Sequence, residues 1–254
     1  MTRSRCGRRR LCAWAIPETF FSRRYKRSVR TTLLRAVLAV RSRIAEDELA
    51  AAVYQGVRQY VLLGAGLDTF GYRNPHPGLR VFEVDHPATQ SWKRQIFGRA
   101  GIPEPDSLTY VPVNFERQTA MERLIAAGFD ISSPAFFAWL GVTMYLPEET
   151  VSAVLRDIAA LPPASGVVFD YAIAKNEMSM LGRMAVAVVN QRLKQIGEPW
   201  VTFFSPRTLA SDLKAFGFHH IRDLGPEELN DQYFSGRTDS LRVSSVAHVM
   251  IASV

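Results

Sequence analysis

The residue types that can do chemistry cluster early in the chain. Tyr60-Val-Leu-Leu-Gly-Ala-Gly-Leu-Asp-Thr69 is an apolar run that ends in Gly-x-Gly. Arg80-Val-Phe-Glu-Val-Asp85 is a second run, and it ends in an acid. A short apolar run closed by glycine reads as a strand buried on both faces. Gly64 and Gly66 free the backbone to turn sharply and let a ligand lie against the main chain. Gly64 and Asp85 are 21 residues apart. That is about the interval between a glycine turn and the ribose-binding carboxylate of a nucleotide-binding sheet. The expected chemistry is capture of a nucleoside-containing cofactor, with Asp85 accepting hydrogen bonds from two ribose hydroxyls. Glu83 shares a strand face with Asp85 and is a weaker candidate for the same task.

Position 69 discriminates between cofactors. A full Gly-x-Gly-x-x-Gly would place its third glycine there, where helix and strand pack closely beneath a pyrophosphate; Thr69 occupies it. S-adenosylmethionine carries ribose and adenine but no phosphate, so Gly-x-Gly suffices for it. An NAD-dependent oxidoreductase is the competing enzyme. Thr69 argues against it. A non-catalytic cofactor-binding domain is a third reading.

The elements that must position these residues follow from periodicity and punctuation. Thr31 or Thr32 can cap a first helix through Leu33, Leu34, Val37 and Leu38, and Glu46 to Tyr54 reads as a second, stopped by Gly56. Strands are expected at 57–64, 80–85, 108–115, 134–140, 166–171, 218–224 and 244–253. Helices are expected from Leu67, from Pro87 with an apolar stripe of Trp92, Ile96 and Phe97, and over 120–127 and 147–161. Two more are expected over 176–195, with Met178, Met180, Leu181 and Met184, and over 206–216. Alternating strands and helices give a doubly wound α/β sheet. Ligands of such sheets bind outside the carboxyl ends of the strands. That selects Gly64, Ala65, Gly66, Asp85, Asn114, Phe115 and Leu140 to Thr143.

Three segments together carry a resemblance. Val61-Leu-Leu-Gly-Ala-Gly-Leu-Asp-Thr69, Phe82-Glu-Val-Asp-His-Pro87 and Leu140-Gly-Val-Thr-Met-Tyr-Leu146 are similar to the leucine carboxyl methyltransferase-like family of S-adenosylmethionine-dependent methyltransferases. The resemblance runs from about Arg41 to about Tyr171. It implies a class I, Rossmann-like sheet of seven strands, the last antiparallel, with extra N-terminal helices. It matches Asp85 to the family's ribose ligand. It implies that Arg43 or Arg41, before the first strand, holds the cofactor carboxylate. At Asn114-Phe115 the family usually carries an acid followed by an apolar residue, the pair that recognises adenine. Several relatives carry an acid where Leu140 stands. The implied activity is O-methylation of a carboxylate on a small molecule or peptide. Tyr145, Tyr171, Trp200, Phe203 and Phe204 are candidates for an acceptor pocket, or for core.

Composition narrows the remaining classes. The 254 residues carry a net charge of +7. Residues 1–43 hold thirteen Lys/Arg against one acid, Glu18, so the rest of the chain is net acidic. Residues 1–27 therefore read as a basic tail, and 28–254 as a single catalytic domain. Arg3 to Arg10 followed by Leu11-Cys-Ala-Trp-Ala-Ile16 starts like a signal peptide, but Pro17-Glu18 cuts the apolar segment short. No run reaches the length of a membrane span. Cys6 and Cys12 both lie in the tail, which leaves no disulfide framework and no metal spacing. The five histidines show no ligand spacing. The expectation is a cytoplasmic enzyme without nucleic-acid, membrane or metal partners.

Overall fold

The computed structural model describes residues 29–114, 118–195, 197–239, 241–243 and 246–254. The expected basic tail and Phe115 lie outside the described residues. The described residues open with one long helix, α1 (Val29–Tyr54), in place of the two expected. No glycine or proline interrupts it before Gly56, so nothing breaks the helix at Arg41 to Arg43. Gly56 has φ +103, and the Gly56 and Val57 amides close on the Val53 and Ala52 carbonyls.

Seven strands form one sheet: β1 (Gln59–Leu63), β2 (Arg80–Asp85), β3 (Leu108–Pro112), β4 (Ala135–Trp139), β5 (Gly166–Ala172), β6 (His220–Leu224) and β7 (Ala247–Ser253). Their order is β3-β2-β1-β4-β5-β7-β6. The first five pair in parallel, and β7 enters antiparallel between β5 and β6. The order reverses between β1 and β4, which makes the carboxyl edge there the switch point. The helices are α2 (Phe70–Arg73), α3 (Pro87–Arg99), α4 (Ala120–Ala126), α5 (Glu148–Ala159), α6 (Met180–Gln195), α7 (Pro206–Phe216) and α8 (Pro226–Tyr233). α8 is an element the sequence reading missed. Strands one, three, four, six and seven are shorter than expected, and α2 is a single turn.

β1 is buried along its whole length, and its residues alternate between two cores. Val61 and Leu63 join Phe82, Phe137, Trp139 and Phe169 under α4, α5 and α7. Tyr60 and Leu62 join Phe136, Ala138 and Val168 under α1, whose Ala36, Val40, Ile44 and Leu49 face the sheet. α3 departs in part from the expected orientation: Trp92 and Phe97 are half-buried, with Phe97 stacked on Tyr72. It buries Thr89, Gln90 and Lys93, and leaves Ile96 exposed. The surface it meets is polar: the Gln90 amide donates to the Glu83 and Val111 carbonyls, and Lys93 meets a carboxylate. α6 also departs from expectation. It buries only Gly182 and Val186, while Met180, Leu181 and Met184 are exposed. Of that methionine group only Met178 is core.

Candidate functional site at the carboxyl edge of the sheet

The turn after β1 is built by two glycines with positive φ, Gly64 at +69° and Gly66 at +50°. Side-chain residues rarely adopt that region, so the turn requires glycine at both positions. The Gly64 and Ala65 amides both donate to the Val84 carbonyl, at 2.7 and 3.2 Å. The face of Gly66 is open. A Cβ there would meet nothing nearer than the Gly64 carbonyl at 3.9 Å, which leaves room for a ligand against the backbone.

Asp85 ends β2 beside this turn and is 1% exposed. Its Oδ2 accepts the Gly66 amide and its Oδ1 the His86 amide, both at 2.6 Å. Burial raises its carboxyl above the usual range, while these two amides favour the charged form. The helix cap next door belongs to His86, not Asp85. The His86 Nδ1 accepts the Ala88 amide at 3.2 Å, with Pro87 in the first turn.

The other strand ends converge on the same edge. Asn114 follows β3, half-buried, with its carbonyl accepting the Gln118 amide at 3.0 Å. Leu140 follows β4, half-buried against the α1 side of the core. The next residue, Gly141, has φ +77. Its amide donates to Asp170 Oδ1 at 2.5 Å, and Asp170 Oδ2 takes the Arg41 guanidinium at 2.7 Å. A Cβ on Gly141 would lie 2.8 Å from that guanidinium. The Thr143 hydroxyl donates to the Asp170 carbonyl. Asp170 therefore ties α1, the end of β4 and the end of β5 together.

Comparison with known proteins decides the family. A model of "Leucine carboxyl methyltransferase" matches residues 8–159. The chain belongs to the leucine carboxyl methyltransferase family. YktD of Bacillus subtilis, a candidate S-adenosyl-L-methionine-dependent methyltransferase, is 35% identical over 223 residues, 84% of this chain and 70% of its own. A candidate methyltransferase of the same description from Parafrankia sp. is 39% identical over 51% of this chain and 42% of its own. The chain thus spans under half the length of that second relative. Among solved structures, a DUF574 family protein of Streptomyces avermitilis aligns at a TM-score of 0.61 and 14% identity, over 86% of this chain and 82% of its own. A candidate methyltransferase of Thermobifida fusca aligns at 0.59 and 18%, over 87% and 82%. Those two likenesses bear on the fold, which is that of a class I methyltransferase with the last strand antiparallel.

Within this leucine carboxyl methyltransferase fold, Gly64, Ala65, Gly66, Asp85, Asn114 and Leu140 share one edge. Arg43 does not reach it. Arg43 pairs with Asp47 one turn along α1, and its side chain is 70% exposed. Arg41, two residues earlier, faces the edge instead. Glu83 is also displaced from any ligand role at the surface, since it is buried against Lys93. Tyr171 and Phe204 are core, and the Tyr171 hydroxyl donates to Asp223 at 2.9 Å. Trp200 and Phe203 are half-buried and pack edge to face. Their segment is held over the Thr143–Tyr145 turn by the Val201 amide on the Met144 carbonyl and the Thr202 hydroxyl on the Leu146 carbonyl. Glu198 leads into that segment, and burial pushes its carboxyl up to about 7.

Asp170 and Glu198 were missed by the sequence reading. Asp170 carries a usable signal, being a lone acid near the carboxyl end of the apolar run Gly166-Val-Val-Phe-Asp-Tyr-Ala172. Glu198 carries none. Among the described residues no group of His, Cys, Asp or Glu is placed to hold a metal ion, and no helix is long and apolar enough to cross a membrane.

Proposed function

We propose that this edge binds S-adenosylmethionine and directs methyl transfer to an acceptor oxygen, with a carboxylate as the favoured acceptor. The observation that carries the reading is the convergence of the Gly64–Gly66 turn, Asp85 and Arg41 on one sheet edge. Gly64, Ala65 and Gly66 would supply the open backbone against which the ligand lies. Asp85 has its two oxygens committed to amides, yet each carboxylate oxygen has a second lone pair for a ribose hydroxyl. Arg41 would hold the amino-acid carboxylate of the cofactor, a task that suits a guanidinium; Arg43 is replaced in that role. Asn114 would meet the adenine, its amide oxygen accepting from the adenine amino group.

The bound cofactor supplies a sulfonium-activated methyl group. Gly64 to Gly66, Asp85 and Arg41 would hold it so that this methyl group faces an acceptor oxygen. Alignment alone can supply ~7–11 kcal/mol of barrier reduction. A carboxylate is already ionised at neutral pH and needs no general base. That agrees with the use made of the histidines beside the carboxyl ends of β2 and β5. His86 Nδ1 caps α3, and His248 pairs with Asp223. Tyr145, Trp200 and Phe203 would form the wall of the acceptor pocket.

The single-turn α2 weighs against the NAD-dependent alternative. A pyrophosphate site draws on the N-terminus of a full helix after the glycine turn, and Phe70–Arg73 is one turn long. A second methyl-transfer reading rests on Glu198. A carboxyl raised to about 7 is suited to act as general base toward a phenol or alcohol.

The test has two stages. S-adenosylhomocysteine should raise the melting temperature while NAD does not; equal shifts would overturn the cofactor assignment. Acceptors are then screened with methyl-labelled cofactor. A carboxylate product releases methanol in mild alkali. A base-stable product would reject carboxyl transfer, and a rate that rises through pH ~7 and loses that rise in Glu198→Gln would favour the hydroxyl reading.

A further inference from the structure

Beneath the glycine turn lies an ion pair with no part in either reading above. Glu83 of β2 and Lys93 of α3 meet at 2.6 Å, with both side chains 1% exposed. Taking two charges out of water is costly, and their attraction returns that cost only with good geometry and further hydrogen bonds. Lys93 makes one such further bond. Its Nζ donates to the main-chain carbonyl of Asp68 at 2.5 Å.

Asp68 closes the turn that opens at Gly64. Its amide donates to the Ala65 carbonyl at 2.8 Å, and its Oδ1 accepts the Phe70 amide at 2.7 Å. The entry of the turn is fastened to β2 by the Val84 carbonyl and the Asp85 carboxylate. The exit is fastened by Lys93. The Glu83 end is packed as tightly. A Cβ on Gly71 of α2 would lie 2.9 Å from Glu83 Oε1 and 2.8 Å from Leu108 Cδ1. That same Oε1 has no hydrogen-bond partner. An apolar pair of equal size would avoid both the desolvation and the orphaned oxygen. The ammonium also favours the ionised form of Asp85 nearby.

We propose that Lys93, with Glu83 as its buried counter-charge, is a positioning residue that fixes the exit of the Gly64–Thr69 turn in its ligand-binding shape. The proposal rests on the cofactor reading of that turn, and the experiment separates the two. The variant is Glu83→Leu with Lys93→Met, which replaces the pair by apolar side chains of similar length. Three quantities are read: the urea midpoint, the dissociation constant of S-adenosylhomocysteine by calorimetry, and amide exchange over residues 64–70. The expected result is a dissociation constant raised about tenfold, equal to ~1.4 kcal/mol. Faster exchange across the turn should accompany it, with a urea midpoint close to wild type. A pair that only holds the fold would lower the midpoint and leave the affinity of the folded protein unchanged. If the double variant does not fold, Glu83→Gln with Lys93→Met is read in its place, because it too removes the contact to Asp68 and leaves no unpaired charge buried. A wild-type affinity and exchange pattern in the folded variant overturns the proposal alone. Failure of the wild-type protein to bind S-adenosylhomocysteine overturns the cofactor reading and the proposal with it.

Discussion

The Asp85 carboxylate accepts the Gly66 amide at 2.6 Å, so the acid that ends β2 also shapes the turn that follows β1. The two segments that stand out in the sequence are one structural unit. Any ligand of Asp85 is therefore presented to a turn already set by the same side chain.

Asp85→Ala should lose stability as well as affinity. It leaves the Gly66 and His86 amides without their acceptor, at a cost of roughly 1–3 kcal/mol for each group that stays buried. Asp85→Asn keeps one acceptor oxygen and should fall between. Urea unfolding and S-adenosylhomocysteine calorimetry on both variants measure the two effects. An alanine variant with a wild-type urea midpoint would show that the turn folds without the acid.

Arg41 and Arg43 should behave oppositely on replacement. Arg41→Ala leaves Asp170 unpaired with its side chain 5% exposed. Removing one partner of such a pair costs ~3–5 kcal/mol when burial is complete, and somewhat less here. Arg43→Ala removes an exposed pair within one helix and should leave stability and cofactor affinity unchanged. Thermal unfolding and S-adenosylhomocysteine binding of the two variants check this. Loss of binding in the Arg43 variant alone would reverse the assignment.

His86→Ala tests a cap against a base. The side chain caps α3 through Ala88, and losing a cap costs about 1 kcal/mol. The expected result is a lower urea midpoint with the pH profile of the methyl-transfer rate unchanged in shape. A pH–rate limb that disappears with His86 would instead make it a proton acceptor.

What could be read from the sequence was what is local. β1 is written as a nearly continuous apolar run because both of its faces are buried, and the glycine turn and its acid lie at a fixed interval. The choice between Arg41 and Arg43 was not local. Two residues apart on a helix face different ways, and only the packing of α1 on β4 and β5 says which one turns to the edge. α3 misled for a related reason. Trp92, Ile96 and Phe97 form an apolar stripe, yet the surface offered by β2 and β3 is a carboxylate and two carbonyls, so Thr89, Gln90 and Lys93 turn inward. Phe115 lies outside the described residues.

Glu198 should impose a pH dependence on stability. Burial raises its carboxyl from an ordinary 4.5 to about 7. The folded protein then holds that proton at pH values where the unfolded chain has released it. This contribution to stability is complete below the unfolded value and is lost as pH rises through about 7. Glu198→Gln should flatten the decline between those limits. Urea midpoints measured at about pH 5 and about pH 7.5 for both proteins decide it. Parallel curves would mean that Glu198 titrates normally.

β7 lies between β5 and β6, although it is the last of the three to be synthesised. β5 ends at Ala172 and β7 begins at Ala247, so β5 keeps an unpaired edge while about 75 residues emerge from the ribosome. β6 has no place in the sheet until β7 arrives to bridge it. An open, apolar edge on a half-made parallel sheet is a template for wrong pairing. Expression yield in this fold should therefore depend on how fast the stretch from β5 to β7 is translated, and on chaperone capacity during that interval, more than on the final stability of the sheet.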